Sequence, residues 1–190
     1  MKVTQDILIQ ELTNITSNNI QIVREQFIHQ PAQLIFTRPD SNSWSVADCL
    51  EHLNLYGDFY IPVILQFIES QSKSKSNKDF VSGLIGNYFA NTMKVQPGKS
   101  AKNKMNTFKD KNPIYQSINS DVIDRFLNQQ TQMLSILEKA KTVNLNKKGI
   151  PITIAQWFKL KLGDALRFTI YHNERHINQA VRAYEVVSKK

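Results

Sequence analysis

Four long stretches of this chain repeat their apolar residues at the helical period, and turn-forming residues separate them. Residues 5–29 carry Leu8, Leu12, Ile15, Ile22 and Phe27, a 3.6-residue stripe with one polar gap at Asn19. Pro31 ends that segment, and TRPDSNS follows as a loop. The second segment has the clearest start. Ser45 is placed to cap it, Asp48 stands at the third helical position, and Trp44 and Cys49 flank the cap as a hydrophobic staple. Cys49, Leu53, Tyr56, Tyr60, Ile64 and Phe67 then form a stripe, with Pro62 inside it as an expected kink.

A polar break covers 70–79, and residues 80–93 predict a short helix weakened by Gly83 and Gly86. Residues 94–113 read as a lysine-rich loop. The third long helix is expected from about 114 to 140, with Ile118, Val122, Phe126, Met133 and Leu137 on one side. The last helical region starts near Thr153, where Gln156 completes a capping box, or after a break near Asp164, and runs to about Val187. No strand alternation long enough for a sheet and no internal repeat stands out. The expected fold is all-α: a four-helix bundle with a short extra helix and a lysine-rich loop.

Charge narrows the function classes once it is located. Residues 72–112 hold nine of the 24 basic side chains and two acids, so they carry +7 of the net +8. A solvated loop explains such a run, and an anion-attracting surface is the sharper alternative. Arginine, the usual bidentate phosphate ligand, is absent from the segment. No nucleic-acid-binding signature accompanies it, so nucleic-acid binding through this basic loop stays a minor alternative. No apolar run is long enough to span a membrane, and the N-terminus lacks a signal-peptide pattern. With a single cysteine, the expected address is the cytoplasm.

Chemistry in a bundle comes from polar residues that face inward from different helices. His172 and His176 are four apart in YHNERH, which puts both rings on one helical face. Small residues share that face (Ala165, Thr169, Ala180, Ala183) and are expected to leave room around a site, while the neighbouring stripe of Leu166, Ile170, Ile177 and Tyr184 supplies packing. His52 adjoins the apolar stripe of the second helix and can point into the same interior. His29, beside Pro31, reads as a surface residue. Cys49 reads as a small buried thiol, although it lies three residues before His52. Tyr56 reads equally as core or as a hydroxyl near a substrate. Asp48 has its capping role and could also orient His52. Glu174 and Arg175 lie off the histidine face and read as surface residues. Other templates fail: Asn173 stands where a zinc protease needs Glu, and no Glu is followed three residues later by His.

WSVADCLEHL at 44–53 and LGDALRFTIYHNERHINQAVR at 162–182 together resemble the DinB-like superfamily of metalloenzymes. The family pattern is a Trp-led helix with one His, then a final helix with His-x-x-x-His followed by Gln. Here those are Trp44, His52, His172, His176 and Gln179. The lysine-rich segment has no counterpart in that pattern. The resemblance implies one four-helix-bundle domain over residues 1–190. It also implies a divalent ion, Zn²⁺ or Ni²⁺, held by His52, His172 and His176. Characterised members include bacillithiol-dependent thiol S-transferases and a mycothiol-dependent maleylpyruvate isomerase. The expected activity is therefore metal-dependent, a thiol S-transferase or a hydrolase, with a small-molecule substrate or low-molecular-weight thiol as partner and a homodimer as the possible assembly. A non-catalytic metal-binding or stress-response module is the alternative. Three neutral ligands leave an open position, the arrangement of a catalytic zinc site, where the pKa of water or a thiol would fall.

Overall fold

The computed structural model describes residues 1–73, 79–95, 107–115, 117–153 and 155–190. Helices dominate it, as the periodicity requires. Four are long: α1 (Gln5–Gln26), α3 (Val46–Glu69), α5 (Val122–Ala140) and α6 (Leu162–Val187). Two are short, α2 (Ala32–Phe36) and α4 (Leu84–Met93). Among the long helices, α1 packs on α5 and α6, and α3 packs on the same two. Their apolar faces enclose two clusters of buried side chains. One is centred on Leu8, Leu12, Ile64, Leu137 and Leu166, the other on Val23, Phe27, Leu50, Phe126 and Ile177.

The sequence signals for α3 are realised atom by atom. Ser45 Oγ accepts from the Asp48 amide at 3.0 Å, and Asp48 Oδ2 accepts from the Ser45 amide at 2.9 Å. Asp is one carbon shorter than the usual Glu of a capping box, but a second residue steadies it. Arg38, from the preceding loop, grips both carboxylate oxygens at 2.7 and 2.9 Å. The helix then continues through Pro62 to Glu69.

Two expectations are corrected. The first concerns strands, which the all-α reading did not contain. β1 (Lys2–Thr4) pairs antiparallel with β2 (Asp79–Val81), and β3 (Lys148–Ile152) pairs antiparallel with β4 (Ala155–Lys161). No helix starts at Thr153, which lies in the turn of the β3–β4 hairpin. The physical reason is local. Ile150 and Ile152 on one strand and Phe158 and Leu160 on the other alternate with polar or exposed neighbours, and Ile150, Ile152 and Leu160 are buried. Pro151 inside the run also disfavours a helix. The second correction is the start of α5, at Val122 instead of near 114. Asn112 and Pro113 begin a tight turn, and Ile118 packs against the core from the connection before the helix. Residues 96–106 of the lysine-rich segment lie outside the described residues.

A buried polar clasp holds α4 against α6. Asp164 and Arg167 are each 1% exposed. Asp164 accepts from the Gly83 amide at 2.9 Å and from the Ser82 hydroxyl, so it caps the start of α4 from another helix. Arg167 donates to Ser82 and Asn87 through one nitrogen and to Asn91 through the other. Gly86 has no room for a side chain, because a Cβ there would meet the Asp164 carboxylate.

Breaking this clasp should cost far more than breaking an exposed pair. Asp164→Ala leaves the Arg167 guanidinium buried without its counter-charge, and we expect a loss of about 3–5 kcal/mol. Lys139→Ala removes an exposed pair with Glu69 and should change stability by less than about 1 kcal/mol. Urea unfolding followed by circular dichroism measures both.

Candidate metal centre

His52 lies on α3, and His172 and His176 lie one turn apart on α6. Because α3 packs along α6, the three imidazoles meet. One ring nitrogen from each lies within 4.8 Å of the others. His52 Nε2 and His172 Nε2 are 3.1 Å apart. Two nitrogens sharing a tetrahedral ion at about 2.0–2.1 Å stand roughly 3.3 Å apart, so this spacing fits a shared ion. Among the described residues these three form the cluster able to hold a metal.

Two of the rings are oriented by partners behind them. His52 Nδ1 lies 2.7 Å from the Lys111 carbonyl oxygen. A carbonyl can only accept, so Nδ1 carries the proton and Nε2 presents its lone pair to the cluster. His176 Nδ1 lies 3.0 Å from Gln179 Oε1, which sets the same tautomer when the amide oxygen is the acceptor. Backing of this kind fixes ring orientation and raises basicity in metal-ligating histidines. His172 Nδ1 is buried with no partner among the described residues, and stacking holds that ring instead. Phe168 lies nearly parallel to it, 12° between planes, at 5.9 Å between centroids.

Aromatic rings wall the cluster. Trp44 stands 4.9 Å from His52 and 5.6 Å from His176, and Tyr56 stands 4.6 Å from His172, centroid to centroid. His52 and His172 are buried, while His176 keeps partial exposure. Burial pushes His52 down to about 4, and it pushes His172 and His176 well below the ordinary histidine range. Nearby cations add to the effect: Lys111 on His52, and Arg175 on both His172 and His176. All three rings are therefore neutral at neutral pH, the form in which imidazole binds a metal.

Each remaining sequence candidate has a definite place. His29 is exposed in the turn after α1 and stands apart from the cluster. Cys49 is fully buried in the apolar core, outside the histidine cluster, and burial raises its thiol pKa. Asp48 is engaged by Ser45 and Arg38, and the Lys111 carbonyl, not Asp48, orients His52. Asn173 donates to Gln130 on α5 at 3.2 Å. Arg175 is no free surface residue: it donates to the Thr92 carbonyl of α4 at 3.1 Å. Ala165, Ala180 and Ala183 are buried in helix packing instead of lining a space at the site. Lys111 is the functional residue that sequence reasoning missed. Its contribution is a backbone carbonyl, and side-chain identity carries no signal for it.

A helical framework with three inward, neutral, pre-oriented histidines defines a class of proteins able to hold one metal ion between two helices. The family model of the DinB superfamily matches residues 22–180, and the chain belongs to that superfamily. Comparisons with curated proteins and with solved structures returned no match.

The histidine burial has a pH signature in chelator-treated protein. The folded-state pKa of His52 lies below its unfolded value of about 6.5, so between the two the unfolded chain binds more protons. Stability should be full above about pH 6.5 and fall progressively as pH drops toward 4. His52→Gln should flatten this slope in thermal unfolding between pH 7 and 4.5. An unchanged slope would assign the acid sensitivity to other groups.

Proposed function

We propose that His52, His172 and His176 hold one divalent transition ion, Zn²⁺ or Ni²⁺, in the open site of a metal-dependent enzyme acting on a small molecule. We read the closed ring of α1, α5, α3 and α6 as the four-helix bundle of the superfamily, with residues 1–190 as one domain. The observation that carries the reading is the pair of hydrogen bonds behind the cluster. His52 is held by the Lys111 carbonyl and His176 by Gln179, so that the Nε2 sides of the rings converge. Nothing in simple core packing asks for this: a buried nitrogen facing another nitrogen is costly unless a proton or a cation lies between them.

When bound, the ion would supply Lewis acidity and lower the pKa of water or a thiol. The chain's own groups do the rest. Trp44 and Phe168 hold the rings in place and keep water from their flanks. Tyr56 offers a hydroxyl beside His172 for orienting a substrate. Lys111, Arg175 and Arg182 surround the histidines with positive charge, which favours an anionic partner at the site. Cys49 does not complete the ligand set, which supports an open site over a closed structural one. A thiol S-transferase with a low-molecular-weight thiol and a hydrolase both fit these features.

Elemental analysis of protein purified without chelator or nickel resin should give about one divalent ion per chain. His172→Ala should lose it, and His29→Ala should keep it. Gln179→Ala removes only the group behind His176, and metal affinity should fall by about 10–100-fold. Full metal retention in His172→Ala would sink the site. Turnover is tested with a panel of thiols and electrophiles, with His176→Ala as control. Metal-dependent product supports the enzyme, and its absence across the panel favours a non-catalytic metal-binding module.

A further inference from the structure

Beside His172 lies a cavity of about 60 Å³. Five separate parts of the chain build it: Tyr56 and Tyr60 from α3, Phe89 and Met93 from α4, Phe108 from the connection before residues 109–111, Ile152, Thr153 and Leu160 from the β3–β4 hairpin, and Phe168 and His172 from α6. The long helices alone do not enclose this space. The short helix and the hairpin, peripheral to the main helix packing, supply half of those walls. The clasp of Asp164 and Arg167 fixes α4 in position, and Arg175 ties its far end through the Thr92 carbonyl. Such extra structure, anchored by a buried ion pair, has built a defined chamber next to the metal ligands.

We propose that this chamber seats a short, uncharged aliphatic group, so that the ligand of the site joins an anionic head at the histidines to a small apolar tail. The inference rests on the metal reading above and adds the substrate class. Three observations carry it. The chamber and the histidine cluster share His172, and Tyr56 touches both, with its ring 4.6 Å from His172 and 5.0 Å from His52. One ligand can therefore reach both. No Asp, Glu, Lys or Arg lines the chamber among the described residues. Its polar groups besides His172 are the hydroxyls of Tyr56, Tyr60 and Thr153, with Thr153 near both phenols. A charged tail would be desolvated there without a counter-charge. Size sets the last limit. A cavity that accepts benzene measures about 150 Å³, so about 60 Å³ suits a chain of roughly three or four carbons and is too small for an aromatic ring.

The test loads the full-length protein with Co²⁺ and titrates it with alkanethiols from ethanethiol to 1-hexanethiol, and with 2-mercaptoethanesulfonate. The thiolate-to-cobalt absorption band reports binding without any need for turnover. Affinity should rise about fourfold with each added methylene up to propyl or butyl, then level off or fall. The sulfonate should bind more weakly than 1-propanethiol by at least tenfold. Phe89→Ala enlarges the chamber and should move the optimum to longer chains, whereas Met93→Phe should abolish the chain-length gain, both with cobalt stoichiometry unchanged. Cobalt binding with an affinity indifferent to chain length, or equal for the sulfonate, overturns the tail site and leaves the metal reading standing. Failure to bind cobalt at all overturns both.

Discussion

The hydrogen bond from His52 Nδ1 to the Lys111 carbonyl is the interaction on which the rest of the site depends. An imidazole in a helical core can rotate and can exchange tautomers, and either change would turn its lone pair away from its neighbours. A carbonyl at 2.7 Å removes both freedoms at once, because it can only accept. The bond also decides where the chain must go after the lysine-rich segment. Residues 109–111 form a tight turn whose last carbonyl is delivered to α3. The segment that looks peripheral by composition thus ends at the histidine cluster. The charge of Lys111 comes with its backbone, and it adds to the positive field that holds His52 neutral.

A second constraint acts on α6. This helix supplies two of the three histidines near its middle and the Asp164–Arg167 clasp at its start. The clasp orders α4, and α4 closes the chamber beside His172. One helix therefore sets both the ligand face and the shape of the space next to it. Placing Asp164 under the first turn of α4 gives that helix a foreign cap, which its own sequence lacks, since Gly83 at its N-cap has no side chain to offer. The same economy appears at α3, where Asp48 closes its own capping box and receives Arg38 from the loop before it.

The parts of this structure that the sequence makes legible are those written in local chemistry. The start of α3 follows from Ser45 and Asp48, the helical stripes follow from spacing, and the histidine pair follows from an interval of four. His52 required one more step, its position beside an apolar stripe, and the packing of α3 on α6 bears that out. What was not legible depends on backbone or on distant partners. The Lys111 carbonyl has no side-chain signature. The β3–β4 hairpin was hidden because Thr153 and Gln156 mimic a capping box, while Phe158 and Leu160 alternate over too few residues to announce a strand. Asn19 looked like a polar gap on α1. It is 1% exposed, and neither of its side-chain polar atoms has a partner among the described residues. The small residues of α6 were misread for a related reason. Alanine on a helix face signals either an open space or a close neighbour, and only tertiary packing tells the two apart.

The asymmetry of the site bears on what it can bind. On one side, three neutral rings and the nearby Lys111, Arg175 and Arg182 present nitrogen lone pairs in a positive field. That combination suits a cation first and an anion next to it. On the other side, past Tyr56 and the Phe168–His172 stack, the walls turn apolar within the width of one ring. A ligand polar throughout would be well met at the histidines and poorly met in the chamber, and a wholly apolar one would find no partner at the histidines. The two halves are satisfied together by an amphiphilic molecule whose polar end is small. Tyr56 sits at the border with its ring against His172 and its hydroxyl toward Thr153, so it is the residue through which a change in one half would be felt in the other. Its position follows from the helical period that places it one turn after His52. The spacing that makes Tyr56 look like ordinary core is therefore the spacing that puts it between the proposed ion and the proposed tail.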